Sequence, residues 1–252
     1  MCTFFNIFGL KISSYGVCML IGLYLTCFLA ITRAGKRGVS KVDMLGVLAS
    51  IFGIVIFGAG FLYVLVTYTP AQIWDYIKRL DFSFADGLVF YGGLISGILG
   101  TPFFCKLFKV NFCDLEASVV PYIPLGHAVG RVGCLLAGCC YGREYDGPFA
   151  VHNYLLSMDK TYFPVQGLES LFLLGIMCVL LFYAQKERKN FNIMALYLIL
   201  YAIARFLLEL FRGDAVRGAF WGLSTSQWIS IGMFTVGGLI QLYNRRKTVE
   251  EA

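Results

Sequence analysis

The stretch GHAVGRVGCLLAGCCYG, from Gly126 to Gly142, places a full positive charge, Arg131, in an apolar run that ends in a turn of glycines and cysteines. An arginine at the centre of a membrane helix costs roughly 2.5–3.5 kcal/mol, so it is retained where it has a partner and a task. A lipid phosphate and a buried carboxylate are the obvious partners. The remainder of the chain defines the medium around that arginine. Of 252 residues, 58% are hydrophobic and 14% charged, and the mean hydropathy is +0.73. That is the composition of a polytopic membrane protein.

Mostly apolar windows of spanning length run from Tyr15 to Ile31, Met44 to Thr67, Leu88 to Phe108, Leu115 to Leu136, Leu168 to Tyr183, Phe191 to Phe211 and Leu223 to Tyr243. They predict an all-α integral membrane protein of about seven transmembrane helices. The fourth window is interrupted by Pro121 and Pro124, and the fifth is short. Continuous apolar blocks, without the alternation of ten-residue strands, disfavour a closed barrel.

Basic residues set the orientation. Arg33, Lys36, Arg37 and Lys41, then Lys106 and Lys109, then Lys186, Arg188 and Lys189, and finally Arg245, Arg246 and Lys247 cluster on one side of the expected spans. That side is read as cytoplasmic, with the N-terminus outside and the C-terminus inside. The other side carries the scattered Lys11, Lys78, Arg79, Arg143, Lys160, Arg212 and Arg217. The formal net charge of +6 is mostly a topology signal and not a nucleic-acid surface, since no basic stripe with interleaved aromatics exists. The first apolar block has no basic flank before it apart from Lys11, so it is read as a span and not as a cleaved signal. No composition break divides the chain, and residues 1–252 are expected to form one membrane domain. Two external segments, near 70–87 with the amphipathic AQIWDYIKRL and near 138–163, are long enough to serve as arm or lid.

Most of the nine cysteines are scattered as small hydrophobes. Cys134, Cys139 and Cys140 instead cluster at the external end of the fourth window, with His127 upstream. Their C-x4-C-C spacing does not match regular metal-ligand pairings, so neither a metal nor a cofactor is expected. A packing or acceptor-site role and a redox or lipidated pair stand side by side.

A second arginine strengthens the first. In YAIARFLLELFRGD, Arg205 and Glu209 are four apart and share a helix face, and Arg212 continues the stripe. The pair either neutralises itself within the bundle or, with Arg131 adding a further cation, leaves positive charge for an anion. A planar guanidinium grips phosphate through paired hydrogen bonds, and the abundant anion of this medium is a phospholipid head group.

These blocks carry a family resemblance. SYGVCMLIG (Ser14 to Gly22), FYGGLISG (Phe90 to Gly97), GRVGCLLAGCCYG (Gly130 to Gly142), FPVQGLES (Phe163 to Ser170), RFLLELFR (Arg205 to Arg212) and GLSTSQWISI (Gly222 to Ile231) occur in that order. The chain resembles the prolipoprotein diacylglyceryl transferase family nearly end to end. The resemblance implies an enzyme of the bacterial cytoplasmic membrane with its active site toward the outer leaflet. Such an enzyme moves a diacylglyceryl group from phosphatidylglycerol to the thiol of a lipobox cysteine in a membrane-anchored precursor, releasing glycerol phosphate. It further implies that Arg131 binds the lipid phosphate and that Arg205, held by Glu209, stabilises the leaving group. Tyr15 and Gly142 fall on family functional positions. Gln166 and Glu169 fall in a P-x-Q-x-x-E block, with capping and packing as the competing reading.

Departures from the family pattern are equally specific. Tyr91-Gly92-Gly93 stands where the family usually reads H-G-G, so the histidine proposed as base is missing. Within the usual G-R-x-G-N-F-x-N-G-E-x-x-G, Cys134 and Ala137 replace asparagines and Cys139 replaces the glutamate. The arginines remain while acceptor-side polar groups change, which suits a paralogue that uses the same lipid with another acceptor. His127 precedes Arg131 by one helical turn and shares its face. It is read either as a substitute base or as a packing histidine.

Overall fold

The computed structural model describes residues 4–7, 10–79, 87–152, 160–186, 191–213 and 219–250. Helices dominate. They are α1 (Ser14–Lys36), α2 (Lys41–Thr67), α3 (Pro70–Arg79), α4 (Phe90–Leu107), α5 (Phe112–Val119), α6 (Ile123–Ala137), α7 (Val165–Tyr183), α8 (Asn192–Glu209) and α9 (Thr225–Glu250). Among the described residues five segments are long and apolar enough to cross a membrane: α1, α2, the run Phe112–Ala137, α7 and α8. The other two expected spans are helical as α4 and α9, but glycines, Thr101 and Pro102 dilute the first, while Gln227, Gln241, Asn244 and a basic end dilute the second.

Among the described residues three short antiparallel hairpins, absent from the all-α expectation, accompany these helices: β1 (Phe4–Ile7) with β2 (Leu10–Ser13), β3 (Val151–His152) with β4 (Thr161–Tyr162), and β5 (Ala219–Phe220) with β6 (Leu223–Ser224). The segment expected as an arm near 70–87 is helical through Arg79, with Lys78 over the Trp74 ring at 5.7 Å. Residues 80–86 of that segment and 153–159 of the second one lie outside the described residues.

The chain divides into two compact units, Met1–Ala30 with Glu116–Ala252, and Ile31–Leu115. In the second, α4 lies against α2 through residues without bulk. A Cβ on Gly92 would fall 2.2 Å from the Gly58 carbonyl oxygen, and one on Gly58 would meet Ser96. Small residues allow this approach, which supplies dispersion contact that apolar side chains cannot gain merely by leaving lipid. Large side chains such as Phe57, Val66 and Leu99 turn outward and are exposed, as a lipid-facing surface requires. Arg37 pairs with Asp114 at 3.3 Å.

In the first unit, α1 meets α6 in the same way. A Cβ on Gly22 would sit 2.8 Å from the Gly126 carbonyl oxygen, and one on Gly133 would sit 2.8 Å from Cys18 Cβ. The two prolines do not end the fourth span. Pro121 lies in a single 3-10 turn, Val120–Tyr122, and Pro124 in the first turn of α6. Both are places where a missing N–H is tolerated. Val120, Ile176, Leu180 and Ile193 form the apolar core between these segments. The buried Glu116 carboxylate accepts from Phe191 N at 2.7 Å and Met194 N at 2.8 Å. It thereby satisfies donors that the start of α8 would otherwise leave open inside the bundle.

Candidate functional site

Three helices of the first unit converge their charges. Arg131 on α6 places Nη2 3.0 Å from Oε1 of Glu169 on α7, and Tyr201 on α8 donates to the same oxygen at 3.2 Å. Glu169 is 1% exposed, so the carboxylate that answers Arg131 lies in the interior, where a charge needs both a counter-charge and hydrogen bonds. His127, one turn before Arg131, sets its ring beside that of Tyr201, tilted against it, with centroids 5.2 Å apart. Its Nε2 stands 3.9 Å from Glu169 Oε1, which is an electrostatic contact and not a hydrogen bond.

A second cluster lies at the end of α8. Arg205 Nη2 is 2.5 Å from Glu209 Oε2 and donates to Ser226 Oγ on α9 at 2.9 Å. Arg212 Nε approaches the same Glu209 oxygen at 3.9 Å. Arg131, Arg205 and Arg212 thus face two carboxylates, Glu169 and Glu209. Glu169 supplies Arg131 with a carboxylate of its own, and Arg212 shares Glu209 with Arg205.

The turn after α6 adds the sulfur groups. Gly138 ends the helix at φ 72, a left-handed conformation that glycine adopts freely. Cys139 N then donates to Cys134 O at 3.2 Å, and Gln166 Nε2 on α7 donates to Cys139 O at 2.7 Å. Among the described residues the Sγ atoms of Cys134, Cys139 and Cys140 lie within 4.8 Å of one another. The Cys134 thiol and Arg212 both donate to the Cys140 sulfur and hold that thiol well below its ordinary range, against the opposing effect of burial. Tyr15, on the first turn of α1, lies beside Gly133 and shares its surroundings with Cys134, Cys139, Arg131 and Cys140.

Gly142 ties this turn to Arg212. The two residues pair as an isolated antiparallel bridge, and Gly142 N donates to Phe163 O at 3.2 Å. A Cβ there would fall 2.4 Å from Phe163 O and 3.0 Å from Phe211 O. Gly142→Ala is therefore expected to separate the chain segments that carry Arg212 and the cysteines. A loss of about 1–3 kcal/mol in stability should follow, visible as a lower unfolding midpoint in detergent together with loss of turnover.

The structure therefore brings together Tyr15, His127, Arg131, Cys134, Cys139, Cys140, Gly142, Gln166, Glu169, Arg205, Glu209 and Arg212. Tyr91, Gly92 and Gly93 lie on α4 in the other unit, where Tyr91 is exposed and the two glycines make the contact with α2. Tyr201 and Ser226 escaped the sequence reading. The fourfold spacing of Tyr197, Tyr201, Arg205 and Glu209 along α8 was the signal for the former, whereas nothing local marks Ser226.

Fold and site define a helical membrane protein with buried, partly compensated arginines facing a thiol-rich turn. The chain belongs to the prolipoprotein diacylglyceryl transferase family, whose model matches residues 2–243. A protein of Clostridium perfringens (strain 13 / Type A) named phosphatidylglycerol–prolipoprotein diacylglyceryl transferase 2 is 36% identical over 248 residues, 96% of this chain and 94% of that protein. Proteins named phosphatidylglycerol–prolipoprotein diacylglyceryl transferase from Clostridium tetani (strain Massachusetts / E88) and Finegoldia magna (strain ATCC 29328 / DSM 20472 / WAL 2508) are 33% and 30% identical. They are covered over 93% and 96% of their lengths, and cover 92% and 98% of this chain.

Proposed function

We propose that the protein is a phosphatidylglycerol-dependent diacylglyceryl transferase, a single membrane domain of seven spans with N-terminus outside, C-terminus cytoplasmic and active site toward the outer leaflet. The acceptor is the cysteine thiol of a membrane-anchored lipobox precursor. The names of the relatives support the substrates, and one observation about the site supports the lipid. Arg131 Nε and Arg205 Nη1 are buried donors, and Glu169 Oε2 and Gln166 Oε1 buried acceptors, that make no hydrogen bond to the described residues. Such groups each cost about 1–3 kcal/mol when left unmade. A ligand that answers both kinds must carry an anion and hydroxyls together, as the glycerol phosphate head group does.

In this reading Arg131 binds the lipid phosphate through the edge not used by Glu169. Arg205, oriented by Glu209 and Ser226, meets the charge that builds on the departing phosphate oxygen. Arg212, beside Glu209, adds a third cation, and Gln166 holds the turn bearing Cys139. Tyr15 and His127 line the acceptor side. A paralogue with another acceptor is favoured by one feature, the three cysteines where family members carry polar groups.

The test is incubation of the purified protein in nanodiscs with head-group-labelled phosphatidylglycerol and a lipobox peptide. Release of glycerol phosphate with a diacylglyceryl gain on the peptide cysteine is the expected result. Release without peptide modification would shift the acceptor, and no release would overturn the transferase reading.

A further inference from the structure

We infer that Cys134, Cys139 and Cys140 form a three-thiolate site for a thiophilic divalent cation, zinc foremost, whose fourth position takes the acceptor thiol. The inference rests on the transferase reading for the identity of that fourth ligand, and on the site geometry for the rest. A tetrahedral zinc trithiolate with bonds near 2.3 Å needs sulfurs ~3.8 Å apart. The three Sγ atoms already lie within 4.8 Å of one another, so small rotamer changes close the site.

The C-x4-C-C spacing gave no reason to expect this, because neighbouring residues usually point apart. Here the chain reverses around Cys139, between Gly138 at φ 72 and Cys140 at φ 59. A left-handed non-glycine costs about 1–3 kcal/mol and persists where its surroundings over-determine it. Those surroundings are the Cys139 N to Cys134 O bond at 3.2 Å and the Gln166 bond to Cys139 O at 2.7 Å. The second fixes the turn from the neighbouring helix, as residues behind a metal ligand commonly do.

Exposure is graded across the cluster: Cys134 is buried, Cys140 intermediate and Cys139 exposed. Three protein ligands on one side with access on the other is the arrangement of a catalytic zinc site, whereas structural sites are closed by four. Charge agrees. Three thiolates around a dication carry one net negative charge, which Arg212, bonded to Cys140, and the nearby Arg131 offset.

The chemistry follows from what S-alkylation requires. The acceptor enters as a thiol, gives its proton to solvent on binding the cation, and remains a thiolate at neutral pH. Its sulfur forms the new C–S bond to the glyceryl carbon as the C–O bond to phosphate breaks, and that electron pair leaves with glycerol phosphate. The thioether product is neutral, binds the cation weakly and departs. Attack by Cys140 itself would end in a thioether on the enzyme, from which the lipid could not be passed on, so the enzyme's own thiols serve as ligands.

The experiment uses the full chain in detergent, with zinc content by mass spectrometry and cobalt substitution read by absorption. About one zinc per chain and thiolate-to-cobalt charge-transfer bands of a tetrahedral site are expected. Cys134→Ser and Cys140→Ser should lose them, while Cys178→Ser on the exposed face of α7 keeps them. Wild-type protein that takes up neither metal, or bands that survive both serine variants, would overturn the site. Should the variants not fold, zinc-edge absorption on the wild type must give a sulfur shell at about 2.3 Å, and a nitrogen and oxygen shell sinks the idea. A lipobox peptide should shift the cobalt bands and its Cys-to-Ser analogue should not; an unchanged spectrum rejects the acceptor role. Shifted bands without glycerol phosphate release would leave the metal site standing while the transferase reading fails.

Discussion

Arg205→Ala is expected to lower glycerol phosphate release by about 10²–10³-fold, the cost of removing one preorganised donor aimed at developing negative charge. The protein should stay folded. Glu209, 10% exposed in its side chain, keeps Arg212 as a counter-charge, Nε lying 3.9 Å from the carboxylate, so the deletion leaves no wholly unpaired ion. The effect should appear in kcat and kcat/KM together, since the interaction strengthens as the phosphate leaves. A variant with raised KM and unchanged kcat would assign Arg205 to ground-state lipid binding instead.

Glu169→Gln should have the larger effect on stability. Its carboxylate is 1% exposed and serves Arg131 at 3.0 Å and Tyr201 at 3.2 Å. Removing one partner of a buried ion pair costs about 3–5 kcal/mol, because the other charge is left without compensation. A marked fall in the detergent unfolding midpoint is expected, with loss of turnover. Adding Arg131→Met to Glu169→Gln removes the stranded cation, so the double variant should recover most of the midpoint and none of the activity. Equal midpoints for the single variant and the wild type would mean that water reaches the pair and that Arg131 needs no carboxylate to be held.

The helices were legible because their signal is local. Twenty or so apolar residues without charge name a span whatever lies beside them, and the window at Leu115 to Leu136 survived its prolines because Pro121 and Pro124 fall in a 3-10 turn and a first helical turn. The Arg205–Glu209 pair was legible for the same reason, being four residues apart on one helix. Glu169 as the partner of Arg131 was not. They are thirty-eight positions apart by residue number, and only the packing of α7 on α6, with Ser170 Oγ donating to Ala128 O at 3.1 Å, sets one carboxylate against one guanidinium. The hairpins were missed because runs of two to four residues carry no periodicity to read.

By itself the sequence determined the medium, the family resemblance and the identity of the charges, since hydropathy, motif order and spacing within one helix are properties of neighbouring residues. The tertiary structure decided which charge answers which. It gave Arg131 to Glu169, set Arg212 beside Glu209, and folded Cys139 and Cys140 back onto Cys134. Those outcomes depend on distances between helices and on two left-handed residues in a turn, and Coulomb and coordination energies are set by distance in space, which sequence separation does not encode.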